Sequence, residues 1–167
     1  THQFPFYPGT GHHREAGIGR GIGATLNVPL PGGCGDAEYV GVVQRIVTPA
    51  AIAFRPDLIV VSCGFDAHRD DPLASMELSL EGYRAMAMQM RALADSLCQG
   101  RIVHVLEGGY SLLGVHEGTR AVLESLVAPV ASSLPSAPAL EAGSTLRAVV
   151  ERVVGVHGAR IRDLGAA

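Results

Sequence analysis

The hydrophobic positions of this chain fall either in short unbroken runs or at helical spacing. Apolar runs at residues 58–61 and 102–106 predict buried β-strands. Apolar positions at helical spacing predict helices over 36–54, 80–99 and 115–127. Because a helix joins the two apolar runs, we expect their strands to be parallel neighbours or near neighbours in one sheet. The pattern therefore predicts an α/β fold.

Single residues indicate where these elements begin and end. Asp36 is expected to cap the first helix, and Pro49 is expected to kink or break it. Ser79 is expected to cap the second helix, which Gly100 should end. The segment before Asp36 is rich in glycine and proline and predicts loop, with one short strand near residues 25–28.

Composition divides the chain into three segments. Residues 1–127 contain all the predicted strands and the first three helices. Residues 128–143 are rich in Ala, Pro and Ser, which predicts a linker or an extended surface segment. Residues 144–167 predict an amphipathic helix, with Ser144 as its cap, and a tail that should fray beyond Arg160.

The overall charge and the cysteines exclude several classes of protein. The net charge is −3, and all thirteen basic residues are scattered arginines, so nucleic acid is not an expected partner. No apolar run approaches the roughly 20 residues of a membrane-spanning helix, so no membrane association is expected. The three cysteines form no CxxC pattern, and their odd number argues against a disulfide framework. We expect a cytoplasmic protein of undefined oligomeric state.

Two polar side chains follow the two predicted strands. Asp66 comes shortly after the first strand, and Tyr110 comes shortly after the second. Because open α/β sheets bind ligands beyond the carboxyl ends of their strands, we expect both side chains at one crevice. A carboxylate can bind a divalent metal, and a phenol can donate a hydrogen bond to a carbonyl oxygen. This pair predicts a metal-assisted or acid-assisted site.

Four segments of the chain resemble, in order and spacing, those of the histone deacetylase superfamily. They are FYPGTG at residues 6–11, NVPL at 27–30, GFDAH with the following DPL at 64–73, and EGGY at 107–110. The resemblance covers roughly residues 1–127 and is closest to bacterial class II-like deacetylases, which include acetylpolyamine amidohydrolases. It implies an arginase/deacetylase-like fold, a mostly parallel sheet with helices on both faces.

The resemblance also implies roles for individual residues. Asp66 matches the third zinc ligand, and Tyr110 matches the tyrosine that donates to the oxyanion of the tetrahedral intermediate. Gly108 and Gly109 would let the backbone approach the substrate closely.

The resemblance also implies a substrate channel, and it implies further zinc ligands that this chain does not contain. Phe6 and Tyr7 would line a narrow apolar channel for the stem of an acetylated amine. The family's other zinc ligands, an Asp-x-His pair, and its His-His dyad are expected upstream of Thr1. We therefore expect the chain to be the carboxyl-terminal part of a catalytic domain whose sheet is incomplete on its amino-terminal side.

The predicted function of the parent protein is zinc-dependent hydrolysis of the acetyl amide of an N-acetylated amine. The substrate would be acetyl-lysine in a protein or a small molecule such as an acetylpolyamine, and the chain alone is expected to be inactive. One alternative is a non-catalytic deacetylase-like module that binds an acetylated ligand or a partner protein. An arginase-like ureohydrolase ranks last, because the EGGY segment has no role in it.

Several other polar motifs have simpler interpretations. The His pair at 12–13 resembles a catalytic dyad but lies in a surface loop, and the glycine-rich segment 17–23 lacks the preceding strand of a dinucleotide site. His68 is interpreted as a residue that supports the ligand, and His104 as a hydrogen-bonded core histidine. The Asp pair at 70–71 is expected to form a turn.

Overall fold

A computed structural model describes residues 1–129 and 136–166 of the chain. Helices and parallel strands together confirm the α/β class. In chain order the strands and α-helices are β1 (His2–Gln3), β2 (Pro29–Leu30), α1 (Asp36–Val42), α2 (Thr48–Phe54), β3 (Ile59–Cys63), α3 (Leu80–Cys98), β4 (Ile102–Leu106), α4 (Leu112–Val127) and α5 (Thr145–His157). None of the helices in these two ranges has the length and apolar character that crossing a membrane requires.

The strands pair in parallel, two by two, within the described part of the chain. β3 and β4 lie side by side, with Ile59 opposite Ile102 and Cys63 opposite Leu106, which confirms the predicted parallel neighbours. β1 pairs with β2 in a second, very short sheet. The strand predicted near residues 25–28 thus forms slightly later, at Pro29–Leu30.

The described elements cover only one of the two faces of the β3–β4 pair. Ile59 is buried in a cluster with α3, which covers one face of the pair. On the opposite face Val60 is 59% exposed, Val103 47% and Val105 44%. An apolar run indicates that both faces suit burial, but it does not say which face the described elements cover.

The helix predicted over residues 36–54 consists of three parts. A π-helical turn, Val43–Val47, separates α1 from α2. Pro49 does not break the helix, because it lies in the first turn of α2, where no backbone N–H is needed. Asp36 is the first residue of α1 and not its cap, which is Gly35. Its carboxylate instead accepts hydrogen bonds from the backbone N–H and the hydroxyl of Ser79, at 2.9 and 2.6 Å.

The two long helices that flank β4 begin at serine caps. The Ser79 hydroxyl accepts hydrogen bonds from two backbone N–H groups of the first turn of α3, as predicted. The helix ends at Gln99 and Gly100, both in left-handed backbone conformation. Ser111 caps α4, which therefore begins three residues before the predicted start at residue 115.

The carboxyl-terminal segment packs against the rest of the chain. Ser144 caps α5 as predicted, and the apolar face of α5 belongs to the main buried cluster, together with residues of α1. Fraying beyond Arg160 is wrong: Leu164 is buried, and the N–H of Gly165 donates to the carbonyl of Arg45 at 2.8 Å. Of the predicted linker, residues 130–135 lie outside the described residues, and the three-segment division stays a prediction.

Candidate functional site

The parallel pairing of β3 and β4 continues into the loops that follow them. The N–H of Glu107 donates to the carbonyl of Cys63 at 3.1 Å, and the N–H of Phe65 donates to the carbonyl of Gly108 at 2.9 Å. Because of these bonds, the segments that follow β3 and β4 stay side by side beyond the edge of the sheet. Asp66 and Tyr110 then follow within two residues, as the strand-end rule predicts.

The side chain of Asp71 joins the two loops. Its Oδ2 accepts a hydrogen bond from the backbone N–H of Tyr110 at 2.8 Å, and its Oδ1 accepts from Leu73 and Ala74 at 2.9 and 3.2 Å. Burial alone would raise the pKa of Asp71, but these donors and the N–H of Ser111 together lower it below the ordinary range. The loop that contains Asp66 is thereby fixed to the loop that contains Tyr110.

Glycine is required at two positions between the loops. A Cβ at Gly108 would lie 2.7 Å from Oδ2 of Asp66. Gly109 has φ +131°, and a Cβ there would lie 2.9 Å from Cγ2 of Val115 and 3.1 Å from Cβ of Phe65. The two glycines thus let the loop after β4 pass close to the Asp66 carboxylate.

The Asp66 carboxylate is partly removed from water and lies among other negative charges. Burial raises its pKa, and the charges of Asp71 and Glu107 raise it further, against hydrogen bonds from the backbone N–H groups of Asp66 and Ala67. Such a carboxylate is stabilised by a nearby cation, because a cation favours its charged form.

Phe65 and the buried His68, on the loop that contains Asp66, both pack against the ring of Tyr83. Phe65 packs edge-to-face on Tyr83, with ring centroids 5.4 Å apart. The ring of His68 stacks on Tyr83, with centroids 6.4 Å apart. His68 is fully buried, and its Nε2 lies 3.0 Å from Oε2 of Glu117 in α4. Its Nδ1 accepts the N–H of Asp70 at 3.1 Å. The supporting role expected for His68 stays a prediction.

One cavity of about 840 Å³ contains most of the predicted site residues. Phe6, Tyr7, Asp66, Gly108 and Tyr110 all line it. Tyr7 and Tyr110 are 83% and 61% exposed, and Phe6 is half exposed, so their rings form the outer part of the cavity. The structure therefore brings these residues together, while the chemical role of each stays a prediction.

The histidine pair at 12–13 and the glycine-rich segment 17–23 lie outside this cavity. The rings of His12 and His13 lie close to each other, with centroids 4.0 Å apart and planes tilted by 39°, and they line a smaller cavity of about 250 Å³ beside Arg152. The glycine-rich segment 17–23 forms a loop with a short 3₁₀ turn, Gly19–Gly21. Neither motif borders the cavity that contains Asp66.

Two features of the site were missed by the sequence analysis. The turn expected at Asp71 is present, but its bond to Tyr110 joins residues 39 positions apart, and no sequence pattern indicates it. His104 is hydrogen-bonded as expected, with its Nδ1 3.2 Å from Sγ of Cys63, but it is only partly buried and lines the cavity together with Cys63. The signal was present in the sequence, since both residues lie on strands already predicted to be neighbours.

The described residues fit a metal ion only in part. Asp66 offers one oxygen ligand with the charge surroundings that favour a cation. A catalytic zinc needs three protein ligands, and in residues 1–129 and 136–166 no cluster of three His, Cys, Asp or Glu side chains has the geometry to hold a metal. The described residues therefore do not form a complete zinc centre by themselves.

Comparison with known proteins gives a consistent result. Residues 1–126 match the family described as "Histone deacetylase domain". A probable deacetylase of Archaeoglobus fulgidus is 47% identical over 114 residues, which are 68% of this chain and 32% of that protein. A histone deacetylase-like amidohydrolase of Pseudomonas aeruginosa is 49% identical over 121 residues, which are 72% of this chain and 32% of that protein.

Solved structures agree with the sequence comparison. The crystal structure of the HDA15 HD domain has a TM-score of 0.80 and 33% identity, over 96% of this chain and 42% of that chain. The chain spans about a third of the length of the two curated relatives. The family match covers residues 1–126, and the superposition covers 96% of this chain. The loops of Asp66 and Tyr110 lie at one cavity. The chain belongs to the histone deacetylase family.

Proposed function

We propose that the intact protein hydrolyses the acetyl amide of an N-acetylated amine in a zinc-dependent reaction. The substrate class is acetyl-lysine in a protein or an acetylpolyamine. The observation that supports this most strongly is the hydrogen-bonded connection of the Asp66 and Tyr110 loops at one cavity, through Asp71. A metal ligand and a hydrogen-bond donor must be held in fixed relative positions to act on one carbonyl group.

Each residue then has a defined task. Asp66 provides one oxygen ligand, and a bound zinc ion would supply Lewis-acid polarisation of the amide and an activated water. Tyr110 donates its hydroxyl to the oxygen on which negative charge develops. Phe6 and Tyr7 provide apolar walls for the aliphatic stem of the acetylated amine, next to the exposed Tyr110 ring.

We further propose that this chain alone is inactive. It provides one metal ligand, and a catalytic zinc needs three. The remaining ligands and the groups that move protons would come from a part of the protein outside this chain. We expect the cytoplasm as the compartment, in keeping with three free cysteines in the described residues.

The test compares hydrolysis and metal content in the intact protein. Wild-type protein should hydrolyse an acetyl-lysine peptide or an acetylpolyamine, lose this activity to a chelator and regain it with zinc. Asp66→Asn should abolish turnover and reduce the zinc bound per molecule. Asp70→Asn is the matched control, because Asp70 lies in the same loop with its side chain 54% exposed and does not line the cavity.

Two outcomes would contradict the proposal. Turnover that survives complete removal of metal would exclude zinc-dependent chemistry. Tight binding of acetylated ligands, with full zinc content and no turnover, would favour the non-catalytic binding module. A comparison of the acetyl-lysine peptide with the acetylpolyamine decides between the two substrate classes.

A further inference from the structure

Tyr83 in α3 has a buried hydroxyl without a hydrogen-bond partner in the described part of the chain. The residue is 7% exposed and lines the cavity that contains Asp66. Buried polar atoms of folded proteins nearly always form a hydrogen bond, because an unpaired one loses its bonds to water without replacement. We therefore expect this hydroxyl to be bonded to a group or a molecule in the cavity.

Ring contacts fix the position of Tyr83 relative to the loop that contains Asp66. The ring packs edge-to-face on Phe65, with centroids 5.4 Å apart. It lies within 9° of parallel to the ring of His68, with centroids 6.4 Å apart. Because Phe65 and His68 flank Asp66 in the sequence, the hydroxyl keeps a fixed position relative to this loop.

The hydroxyl of Tyr83 carries its proton at neutral pH and can donate a hydrogen bond. Burial raises the pKa of Tyr83, and four neighbours raise it further, namely Tyr39 and the carboxylates of Asp66, Asp71 and Asp36. A hydroxyl donates its strongest hydrogen bonds to charged acceptors. The three carboxylates are therefore the acceptors to compare.

Two of the three carboxylates already have acceptor bonds on both oxygens. Those of Asp71 accept backbone N–H groups from both loops, and those of Asp36 accept the N–H and the hydroxyl of Ser79. Asp66 accepts N–H groups of its own loop. Of these three carboxylates, all within the described residues, Asp66 alone lines the cavity. Asp66 is thus the acceptor that the Tyr83 hydroxyl can reach through the cavity.

We propose that Tyr83 is a positioning residue for Asp66, and that its hydroxyl donates to the Asp66 carboxylate through water in the cavity. The bond is not direct, because the hydroxyl contacts no acceptor among the described residues. A water that bridges two polar groups is nearly as favourable as a direct hydrogen bond. The cavity of about 840 Å³ has room for it.

The consequence of this bond is a restricted orientation of the Asp66 side chain. A hydrogen bond to a carboxylate that binds a metal fixes the direction of its oxygens, and its loss typically weakens the metal site. The inference rests on the proposed function, because it requires Asp66 to be a metal ligand.

The experiment measures the zinc affinity of the intact protein by competition with a chromophoric chelator. Tyr83→Phe removes the hydroxyl and keeps the ring that contacts Phe65 and His68. We expect the dissociation constant of zinc to rise about tenfold or more. Ser125→Ala is the control, because it removes a buried hydroxyl that already donates to the carbonyl of Val122 at 2.7 Å. This variant should bind zinc like the wild type.

A spectrum distinguishes positioning from a general loss of stability. With Co²⁺ in place of zinc, the visible absorption bands report the arrangement of the metal ligands. Tyr83→Phe should shift these bands, and Ser125→Ala should leave them unchanged. Wild-type zinc affinity and an unshifted spectrum in folded Tyr83→Phe would overturn the proposal.

The intact wild-type protein gives a test that does not depend on a variant. A crystal structure should show a water bonded to both the Tyr83 hydroxyl and the Asp66 carboxylate. A protein group bonded to the hydroxyl in place of this water would overturn the proposal, even if Tyr83→Phe does not fold.

Failure of this inference is distinguishable from failure of the proposed function. If the wild type binds zinc and hydrolyses its substrate while Tyr83→Phe binds zinc equally well, only the role of Tyr83 is wrong. If the wild type binds no zinc, the proposed function is wrong, and the role of Tyr83 is wrong with it.

Discussion

The carboxylate of Asp71 accepts a hydrogen bond from the backbone N–H of Tyr110, with Oδ2 2.8 Å from the nitrogen. Asp71 is 7% exposed, and its other oxygen accepts two further backbone N–H groups from its own turn. One buried carboxylate thus organises its own loop and the tyrosine loop at the same time. Together with the backbone bond from Phe65 to Gly108, this side chain holds the Tyr110 loop against the Asp66 loop.

Replacement of Asp71 by asparagine should therefore destabilise the protein. The amide has one acceptor oxygen and no charge, so the bond to Tyr110 or those to the turn are lost. We expect the free energy of unfolding to fall by about 1.5 to 3 kcal/mol, as for hydrogen bonds to charged groups. Urea unfolding measures this, and Asp70→Asn serves as the exposed control in the same loop. Equal stability of the two variants would contradict the assigned role.

The same carboxylate predicts a dependence of stability on pH. The pKa of Asp71 is lower in the folded protein than its ordinary value, so its contribution is complete above the unfolded pKa of about 3.9. That contribution is lost as the pH falls through the folded pKa. The difference in stability between wild type and Asp71→Asn should therefore shrink below about pH 4. A constant difference down to pH 2 would be inconsistent with this.

Alanine at Gly109 should cost stability through backbone strain and a steric clash. The residue has φ +131°, and its new Cβ would meet Val115 and Phe65. We expect a loss of about 1 to 3 kcal/mol. Gly155→Ala in α5 is the matched control, because apart from the nearby backbone of its own helix no atom lies within 4 Å of its Cβ position. That exposed helical substitution should stabilise the protein by roughly 0.5 to 1 kcal/mol. Thermal unfolding of both variants tests the contrast.

Phenylalanine at Tyr110 removes one hydroxyl and leaves the ring. Because the side chain is 61% exposed, the free energy of unfolding should change by less than about 0.5 kcal/mol. If the hydroxyl donates to the developing oxyanion, kcat of the intact protein should fall by roughly 10²–10³-fold. Steady-state kinetics on an acetyl-lysine peptide measure this. A change confined to KM would assign the hydroxyl to substrate binding only.

The pair His68 and Glu117 should show a measurable coupling energy. The side chains are 2% and 27% exposed, and the bond between them connects the Asp66 loop with α4. A double-mutant cycle with His68→Gln and Glu117→Gln should give at least about 1 kcal/mol of coupling. The exposed pair Arg147 and Glu151 provides the reference, with an expected coupling of about 0.3 to 0.5 kcal/mol. Similar coupling energies for both pairs would show that the buried bond contributes no more to stability than an exposed ion pair.

Replacement of Leu164 by alanine tests whether the residues after α5 pack against the rest of the chain. Its side chain is 8% exposed within the main buried cluster, so Leu164→Ala should cost about 2 to 5 kcal/mol. Leu112→Ala removes the same atoms at a position that is 92% exposed and should change stability by less than about 0.5 kcal/mol. Chemical unfolding distinguishes the two. A neutral Leu164→Ala would indicate a loosely held tail.

Features set by local hydrogen bonding and by the general rules of α/β sheets were predictable from the sequence. The parallel pairing of β3 and β4 follows from two apolar runs joined by a helix, and the caps Ser79 and Ser144 follow from local hydrogen bonding. The meeting of Asp66 and Tyr110 at one cavity follows from the strand-end rule.

Features that depend on specific side-chain contacts between distant segments were not predictable. The bond from Asp71 to Tyr110 exists only because two loops meet after the sheet has formed. The docked tail gives no periodic signal, since Leu164 lies among small and polar residues. Likewise, the apolar run that contains Val60 does not reveal which of its two faces the described helices leave uncovered.

The π-helical turn Val43–Val47 affects how the sequences of relatives should be aligned with this chain. Its hydrogen bond runs from the N–H of Thr48 to the carbonyl of Val43, five residues back and not four. A relative with a regular α-helix here needs one residue fewer, and its alignment should open a one-residue gap at this turn without disturbing β3. The same gap placed inside Ile59–Cys63 would move every following side chain to the opposite face of the sheet.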